Sequence, residues 1–141
     1  MGNDVLINKA AIIERCLARV EEEYVGHENE LEKNFTRQDS IILNIQRACE
    51  ATIDVAMHIV RVKKLGVPQE SREAFQMLQD ARLIDEDLKS RLQAMVGFRN
   101  VAVHDYRALN LKIVRHILEH RLNDFREFVK ILLLNSSTLN E

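Results

Sequence analysis

The amino-acid sequence predicts an all-α protein, an up-and-down bundle of four to five helices. Three observations carry that prediction. Apolar residues recur every three or four positions along almost the whole chain, which is the spacing of one helix face, and no strand-like alternation competes with it. A single proline in 141 residues leaves long stretches free to stay helical. The composition is 46% hydrophobic but only 5% aromatic, with no Trp, so the core must be built mainly from aliphatic side chains.

The elements follow in order. The first helix shows one stripe: Leu6, Ala10, Ile13, Leu17, Val20 and Tyr24. Gly26 bends or ends it, although Leu31 and Phe35 keep the same stepping. The run Glu21-Glu22-Glu23 reads as a solvated face. Thr36 to Asp39, "TRQD", fits a capping box ahead of a second helix. That helix carries two stripes. Ile41, Ile45, Ala48, Thr52, Val55, Ile59 and Val62 form the first, and Ile42, Cys49, Ile53, Ala56 and Val60 the second. Coverage from two sides places it at the centre of the bundle. Gly66 is expected to stop it, and Pro68 to start the next element. A short helix over 71–81 turns Phe75 and Leu78 inward. A fourth helix starts near Asp85 and runs towards His104. One last long helix, capped by Asn110, carries Leu111, Val114, Leu118, Leu122, Phe125, Val129 and Leu132. The expected organisation is a single domain over residues 1–135 and a polar C-terminal tail over 136–141.

Charge and cysteine usage bound the function. The net charge is −2, so no bulk field draws this chain to nucleic acid, and any such contact needs a local basic patch. Cys16 and Cys49 both fall in apolar helical patterns and read as small buried hydrophobes of a reducing cytosol. The N-terminal segment has no long apolar run, and no stretch approaches the length of a membrane span, so neither a signal peptide nor membrane contact is expected. Met1-Gly2-Asn3 echoes a myristoylation start, but Leu6 stands where Ser or Thr is required.

The pattern breaks in the fourth helix, within "GFRNVAVHDY". Leu88, Leu92 and Met95 occupy inward slots, and the next slots in the same stepping are Arg99, Ala102 and Tyr106. A guanidinium falls where an apolar side chain is expected, and burying it is costly unless it is paired. On the helical wheel Asn100 and His104 lie about 40° apart, Arg99 and Tyr106 about 20° apart, and Arg99 and His104 about 140° apart. Arg99 and His104 can therefore converge only if the helix ends near His104 or a second copy supplies a facing set. A purely structural account has Arg99 pairing with a carboxylate and His104 helping to end the helix.

Two other histidine features carry less. "HILEH", His116 to His120, matches the H-x-x-E-H pattern of a zinc peptidase class. The required downstream carboxylate ligand has no separate element to come from, and Arg115 and Arg121 flank the pair. His27 and His58 are lone histidines, His58 being read as a satisfied residue at an interface between helices. No metal site and no cofactor is expected.

Arg99-Asn100-Val101-Ala102-Val103-His104-Asp105-Tyr106 resembles the R-x4-H-x-Y signature of the HEPN superfamily, and closely that of the HepT-type toxins of bacterial HepT/MntA toxin–antitoxin pairs. The likeness extends to "NIQRACEATIDVAMHIV" and to the run from Gly66 to Asn100, and covers about residues 4 to 135. Arg82 departs from it, because many members carry a glycine at that turn. The resemblance implies a helical bundle that dimerises through the motif helix and acts as a cytoplasmic, metal-independent RNase in a type VII-like toxin–antitoxin system. It also implies a minimal nucleotidyltransferase antitoxin that attaches AMP to the motif tyrosine. A larger hetero-oligomer with that antitoxin is compatible with it. Carried over residue by residue, Arg99 and His104 are catalytic, Asn100 supports the site, and Tyr106 is the modified residue.

The chemistry suits these residue types. RNA carries its own nucleophile, the 2′-OH, so cleavage needs a base, an acid and a cation rather than a metal. An imidazole serves as base or acid near neutral pH, and a guanidinium fork fits a phosphate. One histidine per chain favours a two-fold seam that doubles the set. The competing expectation is a non-catalytic nucleotide- or substrate-binding module that partners a nucleotidyltransferase. The intact pair of Arg99 and His104 favours the enzyme, and a bare scaffold leaves the placement of Arg99 unexplained.

Overall fold

A computed structural model describes residues 2–135. The described residues form six α-helices and no strand: α1 (Gly2–Tyr24), α2 (Phe35–Val62), α3 (Ser71–Asp80), α4 (Glu86–His104), α5 (Leu111–His120) and α6 (Leu122–Leu134). Short 3-10 turns stand at Glu28–Glu30 and Tyr106–Ala108. The polar tail expected over 136–141 lies outside the described residues.

The long helix α2 is central, as its two stripes predict. It packs against α1, α3, α4 and α6, and both stripes are buried up to the exposed Val62. Thr52 fits among them because its hydroxyl donates to the Ala48 carbonyl at 2.8 Å. Leu6, Ile13, Leu17, Val20 and Tyr24 of α1 are buried, and Leu31 extends the core through the connection, whereas Phe35 is 69% exposed. The apolar residues gather in two clusters along the bundle. One joins α1 and the first half of α2 to Met95, Phe98, Leu118 and Phe125. The other joins the second half of α2 to α3, Leu88, Leu92 and α6, where Phe75 and Phe128 meet edge to face at 5.9 Å. α4 threads both, and its last turns lie at the end where α2 begins. Among the described residues no helix is long and apolar enough to cross a membrane.

Three boundaries differ from the sequence expectation. Asn34, not Thr36, caps α2: its Oδ1 accepts from the Arg37 amide at 3.0 Å, and Thr36 is an exposed residue of the first turn. The same arrangement lets the Arg37 guanidinium donate to the Glu23 carbonyl at 2.8 Å. α2 also stops before Gly66. Lys64 takes a left-handed φ of 56°, and the amides of Lys64 and Leu65 donate to the Arg61 and Val60 carbonyls at 3.2 and 2.9 Å. This Schellman closure satisfies the last carbonyls without a glycine. It recurs after α3 at Arg82, φ 63°, the position where glycine was the expectation from the resemblance. α3 then starts at Ser71, beyond Pro68. The single last helix is two helices that break at Arg121. The break preserves the apolar stepping, so periodicity does not register it.

Buried charge is the other feature the pattern hid. Asp124 is 3% exposed and accepts from Arg91, which also bonds Asp87 and Glu127 at 2.9 and 3.1 Å. Burial alone would lower the Arg91 pKa, but the hydrogen bonds it donates to Glu127 and Asp124 outweigh it and hold the guanidinium above its ordinary value. Glu21 is not simply solvated, because it accepts from Arg126 at 2.5 Å and so ties α1 to α6.

Candidate functional site

The site is the end of α4 and what the bundle sets around it. Asp85 starts the helix, its carboxylate accepting from the Leu88 amide at 2.8 Å. Leu88, Leu92, Met95 and Ala102 are buried along the inward stripe, and Arg99 takes its slot among them. Gly97 leaves room for the end of the Arg72 side chain from α3. A Cβ at Gly97 would stand 2.7 Å from Arg72 Nη2. Arg72 and Gln93 also exchange bonds between the two helices, with Gln93 Nε2 donating to the Arg72 carbonyl at 2.9 Å. This brings Ser71, the first residue of α3, against Arg99.

Arg99 is half-buried and poorly satisfied. Its Nη2 donates to Ser71 Oγ at 3.4 Å, and its Nε is buried without a partner. No carboxylate pairs with it among the described residues. Its charge reaches α2, where it opposes the burial that pushes the Cys49 thiol well above its ordinary range. Cys49 and Cys16 are free and buried, as expected.

His104 closes the helix. The chain then turns away, with the Asp105 amide donating to the Val101 carbonyl at 2.8 Å. His104 is exposed, has no hydrogen-bond or ion-pair partner among the described residues, and sits between Val103 and Asp105, also exposed. Asn100 is half-buried one helical turn before it.

Tyr106 does not share the face of Arg99 as the wheel places it. It belongs to the 3-10 turn, where the backbone has left the α-helical path, and its hydroxyl donates to Asp39 Oδ1 near the start of α2. Burial first, then that hydrogen bond and the Asp39 charge, push the phenol pKa up to about 12. Arg99 bonds Ser71 at the start of α3, whereas Tyr106 bonds Asp39 of α2, so the two side chains engage different helices. No side-chain hydrogen bond joins Arg99, Asn100, His104 and Tyr106 to one another among the described residues.

Two partners escaped sequence reasoning. Asp39 was legible only as a member of a capping box, and Ser71 only as a helix start. The antiparallel run of α4 against α2 was the available signal, since it sets the start of α2 beside the residues that follow α4. An apolar groove of about 540 Å³ also lies between α4 and α5, with Met95, Phe98, Val101, Leu109 and Ile113 in its walls. His116 and His120 are exposed on α5 with ring centroids 5.1 Å apart. No group of three or more metal-type side chains converges among the described residues. Arg115 beside them is engaged elsewhere, by Tyr24 at 3.0 Å and Glu32 at 2.5 Å.

An all-helical bundle that ends its fourth helix on an arginine and a histidine five residues apart is the class of fold at hand, and comparison with known proteins narrows it. The ribonuclease HepT-like family profile matches residues 13–132. The chain is 49% identical over 130 residues to the mRNA nuclease HepT of Shewanella oneidensis, covering 92% of this chain and 97% of that one. It is 48% identical to a tri-AMPylated Shewanella oneidensis HEPN toxin solved in complex with its MNT antitoxin, with a TM-score of 0.88 over 93% of this chain and 98% of that chain. A toxin–antitoxin structure with AMP-PNP superposes with a TM-score of 0.89 at 47% identity, over 93% of this chain and 98% of that one. The cytosolic YutE of Bacillus subtilis shares the fold alone, with a TM-score of 0.69 at 13% identity. The chain belongs to the ribonuclease HepT-like family.

Proposed function

We propose that this chain is the toxin of a toxin–antitoxin pair: an RNase that cuts RNA with Arg99 and His104, and that a partner nucleotidyltransferase switches off by transferring AMP to Tyr106. The observation that carries the reading is Arg99. It occupies a core slot with a buried, partnerless Nε and no carboxylate among the described residues. A cation held half out of water without a counter-charge is poorly explained as a fold element and well suited to an incoming phosphate.

The reaction follows from the groups present. A base takes the proton of the ribose 2′-OH, and the oxygen attacks the adjacent phosphorus. Arg99 stabilises the charge that develops on the phosphorane oxygens, and an acid protonates the departing 5′-oxygen. The upstream fragment ends in a 2′,3′-cyclic phosphate. His104 is exposed and unengaged, which leaves its imidazole available for proton transfer when substrate binds. Each chain offers one such histidine, so a two-fold seam through the end of α4 completes the set with the partner copy's equivalent. Exposed Val101 and Val103, which lie between Asn100 and His104 in the chain, and the groove beside them give that seam apolar surface. Asn100 supports the site from the turn before His104. RNA as substrate and two free buried cysteines support a cytoplasmic site of action.

Switching follows from charge. AMP on Tyr106 brings a phosphate to the end of α4 and covers it with a nucleoside. The unmodified phenol points at Asp39 of α2, whereas Arg99 reaches Ser71 of α3. A phosphate there is repelled by the Asp39 carboxylate and released towards the cationic side of the site, where it competes with RNA.

Co-expression with the cognate nucleotidyltransferase tests the reading. The protein is expected to gain the mass of one or more adenylyl groups and to lose RNA cleavage, while Tyr106→Phe gains nothing and cleaves in both backgrounds. An adduct that persists on the Phe variant, or none on the wild type, overturns it.

A further inference from the structure

The phenol of Tyr106 donates its proton to a carboxylate of its own chain. Tyr106 is 42% exposed, so a nucleotide can reach it, yet its hydroxyl is already engaged by Asp39. Asp39 is exposed near the N-terminal end of α2, where the helix dipole favours an anion, and it forms no ion pair among the described residues. Asp105 and Arg107 flank Tyr106 in the chain, exposed, and neither has a side-chain partner among the described residues. The charge that acts on the phenol from α2 is Asp39.

We propose that Asp39 is a catalytic residue of the modification reaction, supplied by the protein being modified: it is the base that takes the Tyr106 proton as the phenol oxygen attacks a nucleoside triphosphate. The inference rests on Tyr106 being the AMP acceptor. The step balances. The O–H bond breaks and its proton passes to Asp39 Oδ1, a bond forms between the phenol oxygen and the α-phosphorus, the bond from that phosphorus to the bridging oxygen breaks, and pyrophosphate leaves. The geometry is in place before the partner arrives, because the accepting oxygen is already within hydrogen-bond reach of the proton it must take. In the ground state burial and then the carboxylate raise the phenol pKa, so free phenolate is scarce and transfer concerted with attack is the accessible route. The arrangement also confines modification: a tyrosine without an adjacent carboxylate is a poorer acceptor, which distinguishes Tyr106 from Tyr24, whose hydroxyl accepts from Arg115 at 3.0 Å.

The test uses the full chain with its cognate nucleotidyltransferase and ATP, measuring the rate of the first adenylyl transfer by intact mass across pH and mapping the modified residue. Asn at position 39 keeps an oxygen that accepts the phenol hydrogen bond but is no base. Asp39→Asn is expected to slow the transfer about a hundredfold or more near neutral pH. The variant's residual rate should climb about tenfold per pH unit, as Tyr106 then has to ionise unaided, while the wild-type rate stays flat. Asp39→Glu should recover part of the rate. An Asn variant modified at Tyr106 as fast as wild type, or slowed by one constant factor at every pH, overturns the assignment of Asp39. Absence of an adduct on wild-type Tyr106 instead overturns the reading on which it rests.

Discussion

Replacing Arg99 with Met should abolish RNA cleavage and make the protein more stable. The structure gives the Arg99 guanidinium one long hydrogen bond, 3.4 Å to Ser71 Oγ, and leaves its buried Nε unpartnered. A buried donor without an acceptor costs about 1–3 kcal/mol, and the long bond returns less than about 1 kcal/mol. Met follows a similar path along the stripe between Met95 and Ala102 and fills irregular space well. The expected net is a gain of about 1 kcal/mol, or a Tm about 2–5 °C above wild type. Two slots earlier on the same stripe and fully buried, Leu92→Ala should instead lose about 2–5 kcal/mol, which calibrates the measurement. Cleavage by Arg99→Met should fall about 10²–10³-fold, the scale of removing one preorganised group from a transition-state charge. Calorimetric melts and cleavage assays on the same preparations decide the matter. A variant that melts several degrees below wild type would show the guanidinium supporting the fold, and its placement would then no longer argue for a substrate phosphate.

Three further expectations follow from named contacts. Asp124→Ala removes the buried partner of Arg91 but leaves Asp87 and Glu127, so urea denaturation should show a loss of about 1–3 kcal/mol rather than the larger cost of a fully buried pair. Arg82→Gly relieves a left-handed φ of 63°, and a stability gain of about 0.5 kcal/mol by the same method is expected, with a loss contradicting the Schellman account. Ultraviolet titration should find both tyrosines ionising late: Tyr24 because burial outweighs its Arg115 contacts, Tyr106 at about 12 because of burial and Asp39. The folded phenol of Tyr106 holds its proton more tightly than the unfolded one, so its contribution to stability is complete below about pH 10 and is lost as pH rises from there towards the folded value. Asp39→Asn should move that titration partly back, and an unmoved curve would contradict the contact.

The architecture was legible because a central helix with two apolar stripes has one way to be covered. Ile41 to Val60 alternate between neighbours as the sequence implies, and Arg99 stands out because every other inward slot of α4 before it is apolar. Stops were less legible. Lys64 and Arg82 close helices in a conformation that glycine favours, which no residue-type preference announces. The break at Arg121 hides inside an unbroken apolar rhythm. The position of Tyr106 was misjudged because a wheel continues a helix that the structure ends at His104, and the partner that redirects the tyrosine, Asp39, lies sixty-seven residues away in the chain. Single-helix reasoning finds which residues break a pattern. The contacts that explain why they break it belong to packing between helices.

End-group analysis of RNA cut by the purified chain in EDTA tests the central claim most directly. Attack by the ribose 2′-OH with His104 moving the protons predicts a 2′,3′-cyclic phosphate on the upstream fragment and a 5′-hydroxyl on the downstream one, both absent with His104→Ala. Fragments bearing a 3′-hydroxyl and a 5′-phosphate, with activity lost in EDTA and restored by zinc, would contradict it.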